Sequence, residues 1–236
     1  MLVALPAWAA ELKVAAAVSA KDALDEITGQ FEKKTGNHVS VTYGSSGKLF
    51  TQVSQGAPFD LYFSADTESP AELFKQGLCE PPKRYGRGRL VLWTLKPSPL
   101  DIDKGLKTLL DPRIQKVAIA NPVVAPYGRA AVETMRFAKV YEQVEKKLVK
   151  GENISQTAQF VDSGAADIGF LSLSLAYSPK LKERGKYWMV PLNLHQPIDQ
   201  DAAVLKGSQE LATARQFLSF CTSGETREVW HRFGLE

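Results

Sequence analysis

LKVAAAVSAKDALDEITGQFEKKTGNHVSVTY, residues 12–43, decides the fold. Residues 12–17 are an apolar run of strand length. Ala20, Leu24, Ile27 and Phe31 then recur at steps of four, three and four, which puts one apolar stripe on a helix. Gly36 supplies the stop, and Val39, Val41 and Tyr43 alternate as a second strand. A strand, a crossover helix and a second strand make a βαβ unit, which implies a parallel pair.

The alternation continues outward from this unit. Leu49 and Val53 fit a short helix after Ser45-Ser46-Gly47, and residues 61–64 read as a third strand, so the first part of the chain builds a small doubly wound lobe. A Pro-rich, basic connection over residues 81–89 leads into a β-like run at 90–94. A second set of units follows, with strands expected at 117–120, 168–171 and 187–190. Helices are expected over 129–138 and 141–148 and around Ile154, Ala158 and Val161. Residues 202–205 read as another strand. The tail is helical, with Leu211, Ala214, Leu218 and Cys221 on one stripe and a last turn through Trp230 and Phe233.

A chain that builds two lobes and then ends in helices without a fresh sheet is expected to return to the first lobe. The expected fold is therefore α/β, with two doubly wound lobes joined by a two-segment hinge. Lobe 1 takes residues 11–89 plus 206–236 and lobe 2 takes 90–205, with crossings near 90–94 and 201–206, where extended chain could absorb a closing rotation.

Bulk properties narrow the function. The 236 residues suffice for a substantial core, and no apolar run approaches the roughly 18 to 20 residues needed to cross a bilayer. The net charge of +3 is spread without a Lys/Arg block, which speaks against a nucleic-acid partner and is compatible with a small anion. Residues 1–10, with Ala7-x-Ala9, read as a residual signal peptide cleaved after Ala9 or Ala10, which would put the mature chain in the periplasm. The basic start of a leader is absent, so a chance apolar start fits the same residues. Cys79 and Cys221 are too few for a metal motif; a disulfide and two semi-buried small residues are both open readings.

In open α/β sheets, ligands bind beyond the carboxyl ends of the strands, where loops deliver N–H groups at helix starts. Those loops are Val18-Ser19-Ala20, Gly44-Ser45-Ser46-Gly47, Asn121-Pro122 and Ala125-Pro126-Tyr127-Gly128. All are small, neutral and rich in donors. A fully ionised oxyanion wants such a set, because it accepts hydrogen bonds and has no proton to give, and a carboxylate beside it would repel it. Taken singly, Ser19 and Ser46 read equally well as helix caps, and Pro126-Tyr127-Gly128 reads as a turn; their joint appearance on one sheet edge favours a site. His38, His195 and His231 show no metal spacing, and neither a nucleophile elbow nor a phosphate loop is present, so no catalysis and no cofactor are expected.

Several stretches together resemble the molybdate-binding proteins of the ABC importer family, which have the type II periplasmic binding protein fold. They are Ala15-Ala16-Ala17-Val18-Ser19, Tyr43-Gly44-Ser45-Ser46-Gly47, residues 56–66 (GAPFDLYFSAD), Leu90-Val91-Leu92-Trp93, Ala120-Asn121-Pro122 with Ala125-Pro126-Tyr127-Gly128, and Gly164-Ala165-Ala166-Asp167-Ile168-Gly169-Phe170. The likeness runs from about Leu12 to the C-terminus. It implies a protein that holds molybdate or tungstate between its lobes, works as a monomer and serves a membrane permease. The implied ligands are Ser19 with Val18 adjoining, Ser46, and the backbone N–H groups of Tyr127 and Ile154. A Tyr hydroxyl that contributes in some members matches Ser172 here. Two rival readings are the same fold holding sulfate or thiosulfate, and a ligand-sensing regulatory domain. The leader-like start and the lack of a helix-turn-helix segment disfavour the latter.

Overall fold

The computed structural model describes residues 10–236; the signal peptide expected at residues 1–10 lies, apart from Ala10, outside the described residues. The chain opens with β1 (Glu11–Ala17), α1 (Lys21–Thr35), β2 (His38–Gly44), α2 (Ser46–Ser54), β3 (Leu61–Phe63), α3 (Glu68–Lys75) and β4 (Lys83–Gly88). It continues with β5 (Leu90–Leu95), β6 (Val117–Ala120), α4 (Pro126–Phe137), α5 (Tyr141–Val144), β7 (Leu148–Gly151), α6 (Ile154–Asp162), β8 (Ile168–Ser172), α7 (Leu173–Ala176) and β9 (Gly185–Met189). It ends with β10 (Ile198–Val204), α8 (Leu211–Cys221) and α9 (Gly224–Arg232). Two five-stranded sheets result, ordered β2-β1-β3-β10-β4 and β7-β6-β8-β5-β9.

The opening βαβ unit forms for local reasons. Helix α1 stops where Gly36 takes φ 76°, a left-handed conformation that disfavours a side chain, and the Gly36 N–H closes the last turn on the Glu32 carbonyl at 2.8 Å. The chain then returns as β2, parallel to β1 from Glu11↔His38 to Ala17↔Gly44. Both sheets have parallel strands at one side, β1 with β2 and β3, and β6 with β7 and β8. Strand β10 in the first sheet and β5 in the second run antiparallel to their neighbours.

Each sheet is covered on both faces. On one face of the first, α1 packs with α8 and α9: Phe31 meets Phe217 edge-on at 5.0 Å between ring centres, and Tyr85 meets Trp230 at 5.1 Å. Leu49, Val53 and Leu73 cover the other face over Ala15, Tyr62 and Ala203. The second sheet has its own core around Trp93, Met135, Val161 and Phe170. Burial of each such large side chain contributes roughly 1.5 to 3 kcal/mol relative to exposure, so each lobe holds a core of its own. Cys79 and Cys221 are buried and unpaired.

The structure differs from the sequence reading in four places. Residues 83–88 are a strand and not a connection, because they pair with β10 from Ile198↔Gly88 to Ala202↔Lys83 across a bulge at Gln200/Asp201. The helix expected over 141–148 ends early, and Leu148 begins an edge strand parallel to β6. Helix α3 and the 3-10 segment Ile102–Leu110 had no counterpart in the reading. The fourth difference concerns the hinge. Strand β10 lies wholly in the first sheet, between β3 and β4, so residues 198–205 belong with lobe 1 and 201–206 do not cross. The two connections between the sheets are Arg89, just before β5, and residues 190–197, between β9 and β10.

Candidate functional site

Four chain turns meet in one cavity between the lobes. From lobe 1, β1 runs into the 3-10 turn Val18–Ala20, and β2 ends at Gly44 so that Ser45 starts α2. From lobe 2, residues 121–125 lead from β6 into α4. Beyond β7, Asn153 caps α6 by accepting the Gln156 N–H at 3.0 Å. Val18, Ser19, Ser46, Tyr127 and Ile154, all read from the sequence, line this cavity together.

The local sequence sets the donors. Ser46, Tyr127 and Ile154 stand in the first turns of α2, α4 and α6, where a backbone N–H has no carbonyl one turn back. Pro126 opens α4 and carries no N–H, so the first one this helix offers is that of Tyr127. The Ser46 Oγ accepts the Ala65 N–H at 2.9 Å, which occupies a lone pair and leaves the hydroxyl proton to donate. Ser19 is 4% exposed, and its Oγ has no geometrically satisfied hydrogen-bond partner among the described residues. A buried hydroxyl in that state costs about 1 to 3 kcal/mol, a cost that a ligand would remove.

Among the described residues, no charged side chain lines the cavity. Positive potential comes from three helix starts, each equivalent to roughly half an elementary charge. Asp66, the nearest carboxylate in sequence to the lining residue Ala65, turns elsewhere: it accepts from the Ser64 hydroxyl, the Ser69 N–H and Arg129. The Tyr127 phenol accepts from Gln200 Nε2 at 2.9 Å, and burial pushes its pKa up so that it stays neutral. The cavity volume is about 10 Å³, the allowance of a single water-sized sphere, and its lining comes from both lobes.

The lobes are closed on one another by direct contacts. The Gly47 N–H of α2 donates to the Val124 carbonyl of the second lobe at 2.9 Å. Arg129 Nη2 reaches Asp66 Oδ2 at 2.9 Å, and Lys48 reaches Glu152 at 3.1 Å. A β-carbon on residue 47 would stand 2.9 Å from the Val124 Cα, so glycine is what lets the lobes approach this far.

Ser172 does not join the other five. It ends β8 and caps α7, its Oγ accepting the Leu175 N–H at 3.3 Å and the Ser174 hydroxyl at 2.9 Å, and it lies outside the cavity lining. The Ser172 hydroxyl is taken up by this local cap and is not brought together with the other expected ligands. The structure adds Ser45 and Asn153 to the lining. Their sequence signal is ordinary helix-cap chemistry, which does not by itself distinguish a site from a turn.

Two mixed α/β lobes on a two-segment hinge, with a small cavity of neutral donors between them, define a solute-binding protein. The chain belongs to the bacterial extracellular solute-binding protein family, whose model matches residues 12–236. Within that class it is similar to the molybdate-binding protein ModA of Rhodobacter capsulatus, 41% identical over 99% of this chain and 91% of that protein. It is also similar to ModA of Azotobacter vinelandii, 37% identical over 99% of this chain and 92% of that protein. In three dimensions it matches the Azotobacter vinelandii periplasmic molybdate-binding protein with a TM-score of 0.89 and 34% identity, covering 95% of this chain and 98% of that one.

Proposed function

We propose that this chain captures molybdate, and tungstate with it, in the periplasm and delivers it to the membrane permease of an ABC importer. The observation that carries this reading is the cavity itself: uncharged donors from both lobes converge on it, and the buried Ser19 hydroxyl has no partner among the described residues. The anion lands on the Ser19 and Ser46 side; the second lobe then swings in on Arg89 and residues 190–197, bringing the Tyr127 and Ile154 N–H groups and excluding water. Phosphate is rejected because near neutral pH it carries a proton, and the lining has no free carboxylate to accept it. Nothing in this scheme makes or breaks a covalent bond. One chain completes the site, so the protein works as a monomer.

Calorimetric and thermal-unfolding titrations with molybdate, tungstate, sulfate and phosphate test the reading. At a thousandfold excess over Kd, molybdate and tungstate should each add about 4 kcal/mol and raise the midpoint by roughly 8 to 16 °C, with phosphate leaving it unchanged. A shift with sulfate and none with molybdate would reassign the ligand.

Ser46→Ala should weaken molybdate binding by about 1.5 to 3 kcal/mol, because a bond to a charged group is lost. The same variant orphans the buried Ala65 N–H, so the ligand-free protein should also lose about 1 to 3 kcal/mol of stability. Unchanged affinity in a folded Ser46→Ala protein would remove Ser46 from the site.

A further inference from the structure

Ser45 has the backbone of a helix cap without acting as one. Its φ of −78° and ψ of 145° are those of an N-cap residue, whose side-chain oxygen normally accepts an N–H two or three positions on. Its hydroxyl takes neither. One of the two candidate N–H groups, that of Gly47, is bonded across the cleft to the Val124 carbonyl. Ser45 is 4% exposed, it lines the same cavity as Ser19 and Ser46, and its Oγ has no hydrogen-bond partner among the described residues. A buried hydroxyl that forgoes an available helix end, and lies against a cavity of donors, is in place for a ligand that brings its own acceptors.

We propose that Ser45 is a third hydroxyl donor to the bound oxyanion, released to rotate away from its helix end when closure hands the Gly47 N–H to Val124. In the open protein the Ser45 Oγ caps α2. On closure the Val124 carbonyl takes over the Gly47 N–H, and the Ser45 hydroxyl turns to give its proton to an anion oxygen. The exchange couples the seating of the ligand to the approach of the lobes, because the Ser45 hydroxyl leaves the helix end only once Val124 has taken the Gly47 N–H. The inference rests on the anion-capture reading above and adds a residue to it.

Titration calorimetry of the full chain with sodium molybdate, on the unsubstituted protein, Ser45→Ala and Ser45→Gly, tests it. Alanine is a poor cap and glycine a nearly adequate one, but neither has a hydroxyl. Both variants should bind molybdate roughly ten- to a hundredfold more weakly, and the ligand-free Ser45→Gly protein should melt within about 1 °C of the unsubstituted one. Affinity kept in both variants, or restored by glycine alone, would make Ser45 a cap and nothing more. If the unsubstituted protein binds no molybdate, the capture reading falls and this inference falls with it.

Discussion

Gly47→Val should give a protein that folds and cannot close. Its β-carbon would stand 2.9 Å from the Val124 Cα and 3.1 Å from the Val124 oxygen, and the two γ-carbons would add to the obstruction. The obstructing atoms are largely backbone of the opposite lobe, so side-chain adjustment does not relieve the clash. The bond from the Gly47 N–H to Val124 is lost together with the approach. The anion then keeps its partners on the Ser19 and Ser46 side and loses the N–H groups of Tyr127 and Ile154. At about 1.5 to 3 kcal/mol for each bond to a charged group, affinity should fall by roughly a hundred- to ten-thousandfold. Valine in a first helical turn differs from glycine by only about 0.5 kcal/mol, so the ligand-free midpoint should stay close to that of the unsubstituted protein while the molybdate-induced shift disappears. Calorimetry paired with thermal unfolding reads both quantities. A variant that retained full affinity would mean that the closed arrangement is not the one that binds.

Gly128→Ala should damage the second lobe and the site at once. Here a β-carbon would press on the Ala120 carbonyl group, 2.8 Å from its carbon, and stand 3.0 Å from the Pro122 nitrogen. All of these atoms are backbone at the end of β6 and in the turn that leads from it to α4. The helix must lift off the strand, at a cost of about 1 to 3 kcal/mol or more for overpacking. At roughly 2 to 4 °C per kcal/mol for a chain of this size, the ligand-free midpoint should drop by about 2 to 12 °C. The Tyr127 N–H sits one residue before the substitution and moves with the helix, so molybdate affinity should fall in the same variant. A midpoint and an affinity both equal to those of the unsubstituted protein would show that α4 does not need this close seat on β6.

These two glycines show how unevenly the site can be read from sequence. The loops that carry Ser19, Ser46 and Tyr127 stand out because each follows a strand, opens a helix and lacks charge, whereas Ile154 is legible only through the family resemblance; the structure brings all four residues to one cavity. Ser172 matches by its position along the chain, while its short side chain is taken up by the turn that it caps. Ser45 carries no distinguishing signal, because nothing local separates a capping serine from one whose hydroxyl has no partner beside a cavity. Gly47 gives no sequence signal for its role, since its constraint comes from Val124, 77 positions on in a different lobe.

The sequence by itself determined the βα alternation, the stop of α1 at Gly36, the two lobes and the neutral character of the loops. All of these follow from side-chain periodicity, backbone preference and charge within a few neighbouring residues. Only the tertiary structure decided that residues 83–88 become a strand, that β10 inserts between β3 and β4, that the second crossing runs through 190–197, and that Gly47 meets Val124 across the cleft. Those outcomes depend on hydrogen-bond registers and steric fit between segments far apart in the chain, which no local pattern encodes.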